Sequence, residues 1–285
     1  MLEMLMNPRK AERHPWELFF IGAVYASISL AIVELVFAKD AVLSRYSGIL
    51  VVTFTVMFSI PFIYYTIKLE EKKINSTIGT WALLLEHRKA IEAFMFLFLG
   101  FVIAFSFFYT VLPSNQSFKA QIETYCVINR PSSFTDCVQQ YGIKDTISTT
   151  GAVTGTERLF KIFWNNFNVC IFTLVFSLIF GAGVIFILAW NASVIAAAIG
   201  IFTKSNLSDL PTGLMRYMIH GVPEIASYFL IALAGGLISI SVIRHEAGTE
   251  KFWEVLRDSI NLVIISLVIL FIAALIEVYI TPKLF

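Results

Sequence analysis

Residues 162–203 read IFWNNFNVCIFTLVFSLIFGAGVIFILAWNASVIAAAIGIFT, with no Asp, Glu, Lys or Arg among them. A helix rises about 1.5 Å per residue, so this stretch laid straight would run on the order of 60 Å, twice a hydrocarbon core of about 30 Å. It therefore folds back. Two break points offer themselves, Gly181-Ala182-Gly183 and Trp190-Asn191-Ala192. The reading favoured here puts the break at Asn191, after one full crossing. A short Ala-rich return over 193–203 then either crosses or stops part way, because irregular backbone survives at membrane depth only when protein or a cavity covers it. Gly181 and Gly183 would then serve close helix packing.

The rest of the chain agrees with hydrocarbon as its solvent. Of 285 residues, 58% are hydrophobic and 14% charged. A soluble domain carries about 25% charged residues. Further charge-free windows cover 18–33 (extendable past Glu34 to 38), 46–67, 93–117, 225–243 and 259–276. The fold class is an all-α, polytopic helical membrane protein of about seven spans, one of them short or re-entrant. A net charge of +1 gives no general attraction to nucleic acid, and none is expected as a partner.

Basic residues orient the spans. Arg9, Lys10 and Arg13 precede the first span; Lys68, Lys72, Lys73, Arg88 and Lys89 follow the second; Arg244, Lys251 and Arg257 precede the last. All three groups read as cytoplasmic if the long window contributes two crossings, which gives a multi-pass cell-membrane protein with a cytoplasmic N-terminus and an external C-terminus. A re-entrant return would leave six spans. Residues 1–92 form a two-span hairpin with a cytoplasmic amphipathic segment over 78–94, and residues 93–285 form a membrane core with a second amphipathic stretch over 250–258.

Residues 112–160 form the one large external loop. Cys126 and Cys137 within it are either a local disulfide or two free thiols. Asn115-Gln116-Ser117 matches a glycosylation acceptor. Cys170 lies in a span and reads as packing.

Polar groups at membrane depth are expensive and mark candidate sites. Asn165 and Asn166, with Asn168, open the long window, either as interfacial helix caps or as the lining of a polar site. His220 and Glu224 stand four apart in His220-Gly221-Val222-Pro223-Glu224, on one helix face. Pro223 suits a first helical turn, so a helix is expected to begin near Gly221 or Val222, with Glu224 at its positive end. That cluster is either a cap or a proton, ion or partner site. Glu277 ends the last apolar run, facing water at the interface or pairing inside with Arg216, His220 or an Asn. Gly235-Gly236 reads as a close-contact face.

Catalytic signatures are missing. There is no HExxH, GxSxG or phosphate-binding loop, and the serines in the spans have no assignable base. No metal and no cofactor is expected.

Asn165-Asn166, Phe180-Gly181, Trp190-Asn191, His220 to Glu224 and the closing Ala273-Ala274-Leu275-Ile276-Glu277-Val278-Tyr279-Ile280-Thr281-Pro282 resemble, in that order, the stage II sporulation protein M family. The resemblance covers about 93–285. The two preceding spans, with their Lys68 to Lys73 mixed-charge exit, are similar to archaeal members. In spore formers such a protein is a non-enzymatic membrane subunit that holds peptidoglycan-degrading partners. What carries over is a membrane core and a scaffold-like habit, with an unidentified membrane or external protein partner and self-association open. A transporter with a polar site near a broken helix is the alternative, and an intramembrane hydrolase ranks last.

Overall fold

The computed structural model describes residues 13–37, 40–71, 80–112, 115–129, 134–140, 155–180, 185–203, 206–243 and 248–284. Among these residues there is no β-strand, and the peptide bonds are all trans. Helix α1 spans Glu17–Ile32 and continues as a π-helical turn over Val33–Phe37. Then come α2 (Ser47–Glu71) and α3 (Thr80–Val111). Two short helices, α4 (Lys119–Asn129) and α5 (Phe134–Gln140), occupy the large loop. The second half holds α6 (Gly155–Phe180), α7 (Ile185–Phe202), α8 (Leu210–Ile243) and α9 (Glu250–Leu275). A second π-helical turn, Ile276–Ile280, runs on into α10 (Thr281–Leu284).

Seven of these helical segments are long and apolar enough to cross a membrane, among them Leu159–Leu178 and Ile185–Phe202 from the long window. The protein is a multi-pass membrane protein. Large apolar side chains left exposed, such as Phe20, Ile28, Met57, Phe172, Ile264 and Val268, supply the lipid-facing surface. Chain order puts α4 and α5 at the same end of the bundle as the π-helical turn at Ile276–Ile280, and the α2–α3 turn at the other.

The long window does not break at Asn191. Helix α7 runs unbroken through that residue; α6 ends at Phe180 and α7 begins at Ile185. Gly181 and Gly183, expected to serve close packing, lie outside the described residues. The physical reason is local: Asn191 Nδ2 donates to the Ile187 carbonyl at 2.7 Å, so the amide is satisfied by its own helix. At eighteen residues, about 27 Å, α7 is long and apolar enough to cross in full.

Two further expectations fail for related reasons. Asn165 and Asn166 do not cap a helix; α6 begins ten residues earlier, at Gly155. Nor does a helix begin near Gly221. Helix α8 starts at Leu210 and holds Pro223 in its interior. Glu224 is therefore far from the positive helix end. Pro223 removes the amide that would bond the Ile219 carbonyl, a gap that membrane helices tolerate where neighbours pack around it.

Helix α8 is the central strut, buried over most of its membrane part. Serines fasten its neighbours to its backbone. Ser177 donates to the Ala232 carbonyl (2.6 Å), Ser259 to Ala234 (3.1 Å) and Ser266 to Ser227 (2.8 Å). A Cβ at Gly235 would press on Ser177 at 2.7 Å, and one at Gly236 on Ile67 at 2.8 Å, so this pair is a close-contact face. Helices α1 and α3 meet still more tightly. A Cβ on Gly22 would overlap the Leu97 carbonyl, and one on Gly100 the Phe19 carbonyl.

Asp40, exposed between the first two spans, accepts the amides of Leu43 (2.7 Å) and Val42 (2.8 Å). Those bonds, Leu43 foremost, hold its carboxyl below the usual carboxylate range. Ser117 of the glycosylation-like triplet is buried and donates to Glu34 in the first π-helical turn.

Cys126 on α4 and Cys137 on α5 form a disulfide, with Cα atoms 5.9 Å apart. It ties the two loop helices together, while Cys170 remains a buried thiol. A link closing so short a segment contributes about 3 kcal/mol by the loop-entropy argument. Cys126→Ser is expected to lower the thermal midpoint in detergent by several degrees, as is reduction by dithiothreitol. An unchanged midpoint would mean that the loop helices are held by packing alone.

Candidate functional site

A cavity of about 380 Å³ opens between α4, α6, α7, α8 and the turn after α9. Its mouth is set by exposed residues, Val127 and Ile128 from α4 and Lys161 and Asn165 from α6. Its floor is set by buried Asn166, Ala198 and Gly221. Between mouth and floor stand Asn191, His220, Glu224 and Glu277, each half-buried.

The structure thus brings together Asn165, Asn166, Asn191, His220, Gly221, Glu224 and Glu277 from four separate stretches of chain. Pro223, on the same helix, is not in the wall. Helical spacing explains the grouping. Tyr217, His220, Gly221 and Glu224 are three or four apart on α8, and Asn191, Val194, Ile195 and Ala198 follow the same period on α7.

Most polar walls have defined partners. Tyr228 donates its hydroxyl to Glu224 Oε1 at 2.7 Å, and Ser227 donates to the Glu224 carbonyl at 2.7 Å. His220 Nδ1 lies 3.2 Å from Thr281 Oγ1, whose hydroxyl also reaches the Ile276 carbonyl at 3.2 Å. Asn165 Nδ2 donates to Asn166 Oδ1 at 3.2 Å. The Tyr217 ring tilts against His220 with centroids 6.2 Å apart, and its hydroxyl is within hydrogen-bonding reach of Tyr125. The Arg216 guanidinium stacks over Phe202 at 4.8 Å. Glu277 is close enough to Glu224 to act on it electrostatically.

Glu277 reaches the cavity from a π-helical turn. Such a turn inserts one extra residue and re-aims the side chains after it, and is common at functional sites. Sequence reasoning missed Tyr125, Lys161, Tyr217, Tyr228 and Thr281. Tyr217 and Tyr228 were within reach of it, since they precede His220 by three and follow Glu224 by four. Tyr125 was not, because its place depends on the fold of the loop.

Among the described residues no group of three His, Cys, Asp or Glu side chains is placed to hold a metal. The serines at the level of the cavity are committed to backbone carbonyls.

Comparison with known proteins agrees with the resemblance noted in the sequence. Over 128 residues, 43% of this chain and 70% of the relative, the chain is 33% identical to the uncharacterized protein MJ0793 of Methanocaldococcus jannaschii, an archaeon. No solved structure matches the chain. The sequence pattern of stage II sporulation protein M matches residues 18–282, which takes in the first two spans as well as the cavity-forming helices. The chain belongs to the stage II sporulation protein M family.

Proposed function

We propose that this protein is a non-enzymatic membrane scaffold, a subunit that holds a protein partner through the polar cavity. The observation that carries the reading is the convergence of Asn166, Asn191, His220, Glu224 and Glu277 on one cavity open at its rim. A concave site with a few convergent polar groups supplies donors and acceptors that a partner group can meet. In this reading the N-terminus is cytoplasmic and the cavity faces outward. The disulfide beside its mouth supports that orientation, since disulfides persist in oxidising compartments.

A second reading, a transporter, has its own support. Pro223 interrupts the hydrogen-bond ladder of α8 and the π-helical turn interrupts the last span, both next to the polar cavity. Discontinuous helices around a polar site are a feature of transport proteins.

One experiment separates them. The tagged protein is purified in mild detergent beside Val194→Trp, which fills the cavity from α7. A scaffold recovers a stoichiometric protein partner that Val194→Trp loses by tenfold or more, and reconstituted vesicles accumulate no solute. Solute uptake that Glu224→Gln abolishes would overturn the scaffold in favour of the transporter.

A further inference from the structure

We propose that the cavity is a receptor for an organic ammonium group, carried by a membrane lipid headgroup or by a soluble amine. This goes beyond the scaffold reading, whose protein partner it does not identify, and uses the same cavity.

Three features specify the ligand. The first is charge. Two acidic side chains, Glu224 and Glu277, line the wall, while the lysine in the lining, Lys161, is exposed at the mouth. Water and salt screen a charge at the mouth far more than one inside. An ammonium beside Glu224 favours its ionised form, and the attraction between the two in that low-dielectric wall works against the cost of taking both out of water.

The second is the aromatic surface. Tyr125 and Tyr217 both line the cavity, within reach of each other. Tyrosine faces attract ammonium groups, and aromatic residues beside carboxylates form cages for substituted ammonium ligands. The third is the apolar part. Val127, Ile128, Val194 and Ile195 give the cavity an aliphatic side. A ligand with a charged nitrogen and a short hydrocarbon segment satisfies all three, whereas a carboxylate or phosphate would oppose ionisation of the two acidic side chains.

The test uses the whole chain in nanodiscs of phosphatidylglycerol at pH 7.5, titrated by calorimetry with n-butylammonium, 1-butanol and butyrate. Saturable binding of n-butylammonium, at least tenfold tighter than 1-butanol, is expected, with no saturable binding of butyrate. Glu224→Gln should weaken the ammonium at least tenfold and leave the other two unchanged. Tyr125→Leu, at the edge of the loop helix, should weaken it severalfold and serves where Glu224→Gln does not fold. Nanodiscs containing phosphatidylethanolamine distinguish the sources: competition assigns the ammonium to a lipid headgroup, and its absence assigns it to a soluble amine. Equal binding of n-butylammonium and 1-butanol overturns the proposal. So does an unchanged ammonium affinity in a variant that keeps its disulfide and elutes as one species. If the ammonium fails to bind but Val194→Trp still loses the protein partner, the ligand class is wrong and the scaffold stands. A partner indifferent to Val194→Trp removes the scaffold reading itself.

Discussion

Gly100→Leu is expected to prevent stable assembly of the first half of the bundle. The ideal Cβ at this position falls on the Phe19 carbonyl and within 2.8 Å of the Ala23 amide nitrogen. Backbone atoms of a packed helix have no rotamer to change, so α1 must move away from α3. Separation would strip contacts along the whole crossing, where small residues let two helices approach without a hydrophobic drive between them. A cost of about 3 kcal/mol or more follows for overpacking of this kind. The measurement is gel filtration in detergent with a thermal ramp, and a broad or aggregated profile is expected. Gly221→Ala is the control: its Cβ meets only Met218 Cε at 3.6 Å and Ile195 Cδ1 at 4.0 Å, so stability should hold or rise slightly. Equal behaviour of the two variants would show that the α1–α3 crossing is not as close as described.

His87→Leu is expected to have the second largest effect. His87 Nδ1 lies 2.7 Å from Glu70 Oε2, and both side chains are fully enclosed where α2 and α3 meet at the bundle end away from the cavity. Asp258 of α9, buried as well, is near enough to feel His87 electrostatically, and its own carboxylate lies 3.5 Å from Arg257 Nε. Leucine would remove a hydrogen-bond partner from a carboxylate with no access to water. Breaking a buried pair on one side costs about 3–5 kcal/mol. Glu70→Gln with His87 retained keeps a neutral hydrogen bond and should lose less. The thermal midpoints of the two variants, measured in the same detergent, check the order. A Glu70→Gln midpoint below that of His87→Leu would mean that the carboxylate is held mainly by other groups.

Hydropathy alone located the spans, because hydrocarbon leaves a backbone few alternatives to a helix. It did not locate the helix ends. Asn191 and Pro223 both look like breakers in a one-dimensional reading, yet both lie inside helices. An asparagine amide can bond the carbonyl four residues back, and a proline leaves only one bond unmade. Gly181-Ala182-Gly183, read as a packing face, lies outside the described residues. The site was more legible than the helix ends. Five residues chosen because polar groups are costly in a membrane, Asn165, Asn166, His220, Glu224 and Glu277, line one cavity, joined by Asn191, read as a break point, and Gly221, named with its motif. The contribution of Tyr125 was hidden, since it needs α4 folded across the mouth. The register that pairs His220 with Thr281 was hidden too, because it depends on how α8 crosses the last span.

That register is the most direct place to test the arrangement. With Cys126 and Cys137 joined and Cys170 buried, cysteines placed at 220 and 281 would be the reactive pair in the described bundle. His220→Cys combined with Thr281→Cys, treated in native membranes with a mild oxidant, should cross-link nearly completely. Moving the second cysteine to Val268, which faces away from the bundle at another depth, should give no link. Failure of the 220–281 pair to join, or equal joining of 220 with 268, would contradict a cavity built by α8 and the end of the last span.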